Sequence, residues 1–334
     1  MKKKILISDI AADLGISVTT VSFILNGKAK EKRISDALTA RVLEHVEKVG
    51  YKPNELAKSL RTGKTKIIGL IVEDISNPFF ANIARYIEKM VYPKGYRILY
   101  CSTDNKQERA IELIHLFKDR HVDGYIITPT EGLESTIQSL QGSHVPLVLF
   151  DRYLPDIKTN YVVTDNLTGA YELTRHLIQN GFKRIAFVTL YSNQTQMRDR
   201  LNGYMKALDD HKMQSYIKKI NREEGDTINK VDFIEFYKEI TPDALIFSTN
   251  YLAITGIDAL QEQGLNLPGI ASYDDHTMFR LFTPAITAVS QPMEAIAEKI
   301  IQVLLHQLDG GHKELRQIEL PSTLVVREST IKIR

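Results

Sequence analysis

The sequence predicts an α/β protein with an N-terminal helix-turn-helix head and a core of two doubly wound parallel-sheet lobes. Two short helical patterns separated by one glycine open the chain, and its first 66 residues carry 14 Lys and Arg against 7 Asp and Glu. From residue 67 onward, continuous apolar runs of strand length alternate with amphipathic helical patterns, which is typical of parallel sheets covered on both faces. These units are too numerous for one sheet of ordinary size, so two lobes are expected.

Two helices joined at Gly15 form the start of the head. Ser8 is expected to cap the first helix and Ser17 the second, since a serine side chain at an N-cap accepts a backbone hydrogen bond. The apolar spacing places Val21, Ile24 and Leu25 inward and leaves Val18, Thr19, Ser22 and Phe23 outward. A second helix presented in this way is typical of helix-turn-helix proteins, which lay it in the major groove of DNA.

A third helix and a basic linker complete the first 65 residues. Ser35 is expected to cap this helix, which carries an apolar stripe and ends at Gly50. The stretch 51–65 has four cations and a helical pattern too short to be stable alone in water. We therefore expect it to become ordered on a partner, and its charge favours DNA.

Strands and helices alternate through the core. Helical patterns cover about 78–94, 107–120 and 167–180. The predicted strands are Ile67–Val72, Arg97–Cys101, Gly124–Thr128, Pro146–Phe150, Arg184–Val188 and Ala244–Phe247. Ligands of such open sheets bind at the carboxyl ends of the strands, so a ligand site is expected there.

Composition argues against several classes of protein. Cys101 is the single cysteine, which rules out an intrachain disulfide or a thiolate metal cluster. The apolar stretch after three N-terminal lysines is too short for an export signal, and no run approaches the roughly eighteen apolar residues of a membrane span. We expect a cytoplasmic protein with no membrane contact, no cofactor and no metal site.

Catalytic motifs are also missing from the sequence. It contains no glycine-rich phosphate loop of the dinucleotide or P-loop type and no His-Glu-x-x-His pattern. The pair Asp275 and His276 could suggest acid–base chemistry, but His276 fits better as a surface or pocket residue. An enzyme is not expected, and no residue is assigned as catalytic.

Motifs along the whole chain resemble those of the lac repressor-type (LacI/GalR) transcription regulators. In the head they are Ser8-Asp9-Ile10-Ala11, Val21-Ser22, Leu25-Asn26, Tyr51-Lys52-Pro53-Asn54, Ala57 and Leu60-Arg61. In the core they are Ile68-Gly69-Leu70-Ile71, Ser76-Asn77-Pro78-Phe79-Phe80, Asp165-Asn166, Gly169-Ala170, Arg200-Leu201-Asn202-Gly203-Tyr204, Ser272-Tyr273-Asp274-Asp275, Thr283-Pro284-Ala285-Ile286-Thr287-Ala288-Val289 and Leu324-Val325-Val326-Arg327-Glu328.

The resemblance implies a domain plan and a function. It implies a helix-turn-helix head at 1–52, a hinge helix or linker at 53–65, and a periplasmic-binding-protein-like core. The N-terminal lobe of that core comprises 66–164 and 292–326, and the C-terminal lobe 165–291. Members bind pseudo-palindromic operators in double-stranded DNA as dimers and hold a small effector, often a sugar or a nucleobase, between the lobes. A repressor with a sugar effector is the leading hypothesis, and a C-terminal end without heptads favours a homodimer.

The family's base-reading pair falls on Val18 and Thr19 of the second helix. A valine contacts a thymine methyl, and a threonine does this or offers a hydroxyl. Thr20 and Ser22 suit phosphates, which position the protein without specifying sequence. Many members carry Arg where this chain has Phe23, so Phe23 packs either over the DNA backbone or into the head's own core. The head residues expected at DNA are Ser8, Ser17, Val18, Thr19, Thr20, Ser22, Phe23 and Asn26.

In the hinge, Leu60 matches the leucine that family members wedge into the minor groove at the operator centre. One wedge from each subunit would unstack a central base step and kink the duplex. The residues expected to line that groove or its phosphates are Asn54, Ala57, Lys58 and Arg61. The alternative is a plain linker whose Leu60 packs on the core.

The family's effector-binding arginine and aspartate fall on Arg200 and Asp274. A guanidinium and a carboxylate each take paired hydroxyls, which suits a polyol. The further candidates are Asn77, Phe79, Phe80, Asp151 and Asn250. Two alternatives stay open, in which the two phenylalanines belong to the core and Asp151 forms only a local ion pair with Arg152.

One segment departs from the family pattern. Between Pro268 and Ser272 stand about three residues fewer than relatives carry. This is expected to shorten the strand that feeds Tyr273 to almost nothing, through remodelling of the lobe or residues absent from the sequence. The placement of Asp274 is therefore expected to be less secure than that of Arg200.

A second class of protein shares the core fold, namely the secreted sugar-binding proteins. A pure binding module of that kind would need no basic head and would carry an export signal. The basic head and the short apolar stretch at the N-terminus both disfavour it.

Overall fold

The structure is a computed structural model that describes residues 5–51, 63–221, 229–311 and 314–332. The chain divides into two compact units, Met1–Thr65 and Lys66–Arg334. The predicted hinge contacts at Asn54, Ala57, Lys58, Leu60 and Arg61 lie outside the described residues.

Within its described residues, the head contains the helices α1 (Ile7–Leu14), α2 (Val18–Leu25) and α3 (Asp36–Val49). They bury one small apolar cluster made of Ile10, Ala11, Val21, Ile24 and Val42. Ser17 and Ser35 cap α2 and α3 as predicted, each accepting a backbone hydrogen bond from three residues later. Gly15 lies at φ 64°, the left-handed conformation that lets the chain turn from α1 into α2.

The predicted cap at Ser8 is wrong. Helix α1 begins at Ile7, so Ser8 lies inside its first turn. The carboxylate of Asp9 instead accepts the Leu6 N–H at 2.8 Å, and this satisfies a backbone donor at the helix start. The helix therefore begins earlier than a serine cap would require.

Two six-stranded sheets form the core. The first has the strand order β11-β5-β4-β3-β1-β2 and the second β12-β10-β9-β8-β6-β7. In the part of the core that the structure describes, all pairs are parallel except β10 with β12, which is antiparallel. The strands are β1 (Ile67–Val72), β2 (Arg97–Ser102), β3 (Gly124–Ile127), β4 (Leu147–Phe150), β5 (Tyr161–Thr164), β6 (Ile185–Leu190), β7 (Tyr216–Ile220), β8 (Ala244–Phe247), β9 (Gly269–Tyr273), β10 (Thr287–Ser290), β11 (Gln317–Leu320) and β12 (Thr323–Val325).

Helices cover both faces of each sheet and enclose apolar clusters against it. The helices of the core are Pro78–Val91, Gln107–Asp119, Glu134–Gly142, Asn166–Gln179, Thr195–Asp210, Lys230–Ile240, Asn250–Glu262 and Met293–Leu308, with short 3₁₀ turns at Tyr92–Lys94, Thr277–Arg280 and Glu328–Thr330.

No single helix among the described residues is long and apolar enough to span a membrane. The short pair α1 and α2 passes such a test only when taken together, bent by 111°.

The six predicted strands and three predicted core helices are present, with ends within three residues of those expected. Strands such as β7, β11 and β12 are not among the predicted ones. They lie at sheet edges and carry polar residues, as in the two lysines of β7, so they lack the continuous apolar run of a buried strand.

The chain passes between the two sheets at three places. These crossovers follow β5, β10 and β11, at about residues 165, 291 and 321. The expected N-terminal-lobe segment 292–326 is wrong at its end, because β12 pairs with β10 in the second sheet. The segment therefore returns to the second lobe after Leu320.

The expected loss of the strand before Tyr273 is also wrong. Strand β9 spans five residues and pairs with β8 on one side and β10 on the other. It begins at Gly269, directly after Pro268, so the strand keeps its length and the connection before it is short. Backbone pairing on both sides fixes the register of this central strand, so the short connection before it does not shorten the strand.

Candidate functional site

The start of α2 presents the residues predicted to read DNA. Val18 is 44% exposed and Thr19 is exposed as well. The Ser17 hydroxyl accepts the Thr20 N–H at 3.0 Å and lies 2.8 Å from the Thr20 hydroxyl. The cap thus uses the polar groups of Ser17 and Thr20 locally and leaves Val18 and Thr19 on the outer face.

The second half of α2 holds the other candidates from the head. The Asn26 amide donates to the Ser22 carbonyl at 2.6 Å and lies 3.3 Å from the Ser22 hydroxyl. Phe23 is half-buried, and the Lys32 ammonium lies 5.5 Å from its ring centroid, a cation–π distance. Phe23 is not part of the head's apolar cluster, so its packing over a DNA backbone stays a prediction.

The positive charge of the head is concentrated at its two flanks. Residues 5–51 contain six Lys and Arg and six Asp and Glu, so the three-helix body is formally neutral. The excess lies in residues 1–4 and 52–66, where the sequence predicts contacts with the DNA backbone.

A cavity of about 310 Å³ lies at the carboxyl ends of strands from both sheets. Its wall contains the carboxylates of Glu73, Glu131, Asp151 and Asp274 and the guanidiniums of Arg152 and Arg200. Its other lining residues are Asn77, Phe79, Phe80, Asn105, Gln107, Leu190, Tyr191, Ser192, Gln194, Gln196, Met197, Thr249 and Tyr251. This is the position at which open parallel sheets bind ligands.

Arg200, which is buried, and Asp274, which is partly exposed, form an ion pair in the wall of the cavity. Arg200 donates from Nη1 to Asp274 Oδ2 at 2.9 Å, and its Nη2 lies 3.4 Å from Oδ1. The same guanidinium donates to the Ser248 carbonyl at 2.7 Å and to Asn166 Oδ1 at 2.9 Å. Its Cζ atom lies 3.9 Å from the centroid of the Tyr273 ring. These contacts fix the plane of the guanidinium in the wall of the cavity.

Asp151 belongs to a second charged group. Its Oδ2 accepts from Arg152 Nε at 3.1 Å, and Arg152 also donates to Glu73. Burial raises the pKa of Asp151 to about 6, while Arg152 and Arg200 act in the opposite direction. The local ion pair with Arg152 is therefore present, and Asp151 also lines the cavity.

The remaining effector candidates differ in how they meet the cavity. Asn77 accepts the Phe79 N–H at 2.9 Å and so caps the helix Pro78–Val91. Phe79 is half-buried, whereas Phe80 is 4% exposed and packs edge-on against Phe150 within the core. Asn250 does not line this cavity. It lines a neighbouring one of about 80 Å³ that shares Phe79 and Asp274 with it.

Sequence reasoning missed several polar residues of the cleft, chiefly Glu73, Glu131, Arg152, Gln194 and Gln291. The first three follow β1, β3 and β4, so their position after predicted strands could have identified them. Nη1 of Arg152 has no hydrogen-bond partner among the described residues. Within the same residues, no group of three or more His, Cys, Asp or Glu side chains is arranged to hold a metal ion.

Two family models match the chain. Residues 6–54 match the model described as bacterial regulatory proteins of the lacI family, and residues 174–330 match a periplasmic binding protein-like domain. The transcriptional repressor PurR of Aliivibrio salmonicida is 27% identical over 333 residues, which cover 98% of this chain and 99% of the relative.

Solved structures show the same architecture. The lac repressor dimer bound to operator and the anti-inducer ONPF aligns with a TM-score of 0.84 at 21% identity, over 99% of this chain and 100% of that one. A protein of Burkholderia thailandensis assigned as a ribose operon repressor aligns with a TM-score of 0.70 at 26% identity, over 78% of this chain and 98% of that one.

Proposed function

Because this chain belongs to the LacI family of bacterial transcription regulators, we propose that it is a cytoplasmic, dimeric repressor whose affinity for a pseudo-palindromic operator is controlled by a sugar. The observation that carries the proposal is a capped helix with an outward Val18-Thr19 pair, together with a core that holds a charged cavity at its strand ends.

The head supports recognition of DNA through α2. Its Ser17 cap holds the first turn of α2, so Val18 and Thr19 are presented on a rigid helix rather than on a loop. In the major groove, a valine methyl can contact a thymine methyl group. A threonine can make the same contact or donate a hydrogen bond from its hydroxyl to an acceptor on a base edge. The basic flanks supply affinity for phosphates that does not depend on sequence.

The cavity supports a neutral polyhydroxyl effector. Four carboxylates face two guanidiniums, and Arg200 and Arg152 already have carboxylate partners. An anionic ligand would add negative charge to this wall, whereas hydroxyls can donate to carboxylates and accept from the guanidiniums. Phe79 and Tyr251 add aromatic surface of the kind that covers the apolar face of a sugar ring. A nucleobase is the alternative ligand, and it is disfavoured because it offers few donors to so many acceptors.

The DNA-binding part of the proposal is tested with full-length protein and a duplex from the region upstream of its own coding sequence. Fluorescence anisotropy should show tight binding that weakens steeply with salt. The double substitution Val18→Ala and Thr19→Ala should lower that affinity tenfold or more, since each base position lost costs about 1–3 kcal/mol. Thr39→Ala on α3 serves as the control. Equal affinity of the double variant and the wild type would contradict the assignment of α2.

The effector part is tested by calorimetry with monosaccharides, disaccharides, their phosphate esters and nucleobases. We expect a neutral sugar to bind, its phosphate ester to bind at least tenfold more weakly, and the sugar to change operator affinity. Arg200→Met should abolish this binding because it removes the donor fixed by Asp274. Tight binding of a phosphate ester or of a nucleobase, with no response to sugars, would contradict the assignment.

A further inference from the structure

Buried polar side chains are concentrated where the chain crosses between the lobes. Thr164 and Asn166 flank the first crossover and are 3% and 4% exposed. Gln291 occupies the second crossover and is 7% exposed. Most polar side chains buried this deeply are hydrogen-bonded, so the partners of these three show which groups they hold in place.

The partners of these side chains are the ion pair of the cavity. Gln291 Nε2 donates to Asp274 Oδ1 at 2.6 Å, and its Oε1 accepts from the Thr164 hydroxyl. Asn166 Oδ1 accepts from Arg200 Nε at 2.9 Å, and its Nδ2 donates to the Thr164 carbonyl at 2.8 Å. A continuous path of hydrogen bonds therefore joins the first crossover, both charges of the pair and the second crossover.

The third crossover lies close to the same group. The Tyr273 ring packs against the Arg200 guanidinium, and its hydroxyl lies 3.5 Å from the Asp165 carbonyl. An added Cβ atom at Gly169 would come within 2.4 Å of the Ser322 hydroxyl and 2.7 Å of the Tyr273 hydroxyl. Ser322 and Tyr273 thus meet over Gly169, beside the first crossover.

We propose that Gln291 and Asn166 are positioning residues that make the Arg200–Asp274 pair part of the hinge between the lobes. Arg200 and Asp274 have defined hydrogen-bonding positions, and in a buried site a lost partner is not replaced by bulk water. A ligand that displaces Gln291 from Asp274 Oδ1, or that turns the Arg200 guanidinium, changes the bonds to Gln291 or Asn166. Ligand occupancy then alters the preferred orientation of the lobes. This inference rests on the proposed function only in treating the pair as the effector site.

The test measures lobe orientation in the full-length protein without DNA or effector. Spin labels are placed at Lys118→Cys in the first lobe and Met205→Cys in the second, in a Cys101→Ser background, and their distance distribution is measured by pulsed electron resonance. Labelled protein is diluted with unlabelled protein so that pairs between subunits do not contribute. Both labelled positions are exposed on helices.

The variants are Gln291→Met and Asn166→Ala, each of which removes the side-chain hydrogen bonds to the pair. The matched control is Gln307→Met, because Gln307 is similarly buried and bonds Leu147 N and O at 3.0 and 3.1 Å within one lobe. Circular dichroism establishes that each variant is folded, and either variant carries the test if the other does not fold.

We expect Gln291→Met and Asn166→Ala to broaden the distribution or shift its mean by about 2 Å or more, the size of a lobe rearrangement. Gln307→Met should lower stability and leave the distribution unchanged. A wild-type distribution in the crossover variants, or an equal shift in Gln307→Met, overturns the inference. Neither result bears on the proposed function, since the samples contain no DNA and no effector.

Discussion

Asp151→Asn should change how the stability of the core depends on pH. The Asp151 carboxyl is buried beside Arg152, and burial raises its pKa from the ordinary 3.8 to about 6. The folded protein therefore holds this proton more tightly than the unfolded chain does. Stability from this group is fully present below about pH 4 and is lost as the pH rises through 6.

The magnitude follows from the two pKa values. At about 1.4 kcal/mol for each pH unit, the whole effect amounts to about 3 kcal/mol. Between pH 5 and pH 7 the wild type should lose about 1 kcal/mol of unfolding free energy that the Asp151→Asn variant, which has no carboxyl to titrate at this position, does not lose. Because the Asp151 side chain is only 8% exposed, solvent screening reduces this free-energy difference little.

The assay is urea unfolding followed by circular dichroism at pH 5 and pH 7, for the wild type and for Asp151→Asn. Other titrating groups contribute equally to both proteins, so only the difference between them is read. Asp156→Asn, at an exposed position of the following loop, controls for the loss of a carboxylate. The reasoning is refuted if the difference between wild type and Asp151→Asn is the same at both pH values, or if it changes in the opposite direction.

Three further predictions concern other parts of the chain. Ser17→Ala should destabilise the head by about 1 kcal/mol and Ser8→Ala should have little effect, because of these two serines only Ser17 caps a helix. Hydrogen exchange of residues 7–25 measures this, and equal exchange in both variants would contradict the observed caps. Gly203→Ala should lower stability by about 1–3 kcal/mol and weaken effector binding, because an added Cβ atom would come within 2.2 Å of the Leu167 carbonyl on the neighbouring helix. The control in thermal unfolding is Gly142→Ala, whose added Cβ atom meets nothing within 4 Å. Equal melting temperatures of the two variants would count against the close helix packing at Gly203. Asp274→Asn should lower the free energy of unfolding in urea by about 3 kcal/mol, since Arg200 stays buried with the carboxylate of its ion pair removed. A loss below about 1 kcal/mol would show that the neutral acceptors of Arg200 are enough to stabilise its charge.

The short segment before Tyr273 shows that residue count and strand pairing can predict different outcomes. Residue count alone predicts that the strand is lost, yet β9 keeps five residues because both its neighbours pair with it. The pairing also fixes where Asp274 emerges from the sheet, at φ 66° directly after the strand. A short connection therefore does not shorten the strand after it when that strand is paired on both sides.

Elements with local signals could be predicted from the amino-acid sequence. Caps at Ser17 and Ser35 and the turn at Gly15 follow from residue type and spacing, because their hydrogen bonds join neighbours in the chain. The buried strands are visible as continuous apolar runs, although the strands that pair with them are distant in the chain. The family resemblance also predicts Arg200 and Asp274 as effector-binding residues, and both line the cavity. Contacts between side chains that are distant in the chain depend instead on how the sheets and lobes assemble. The contacts of Arg152 with Glu73 and of Gln291 with Asp274 join positions 79 and 17 residues apart, and these depend on the order of strands in each sheet and on three crossovers between lobes. Such contacts leave no periodic trace in the chain, since the partners are brought together by packing rather than by sequence spacing.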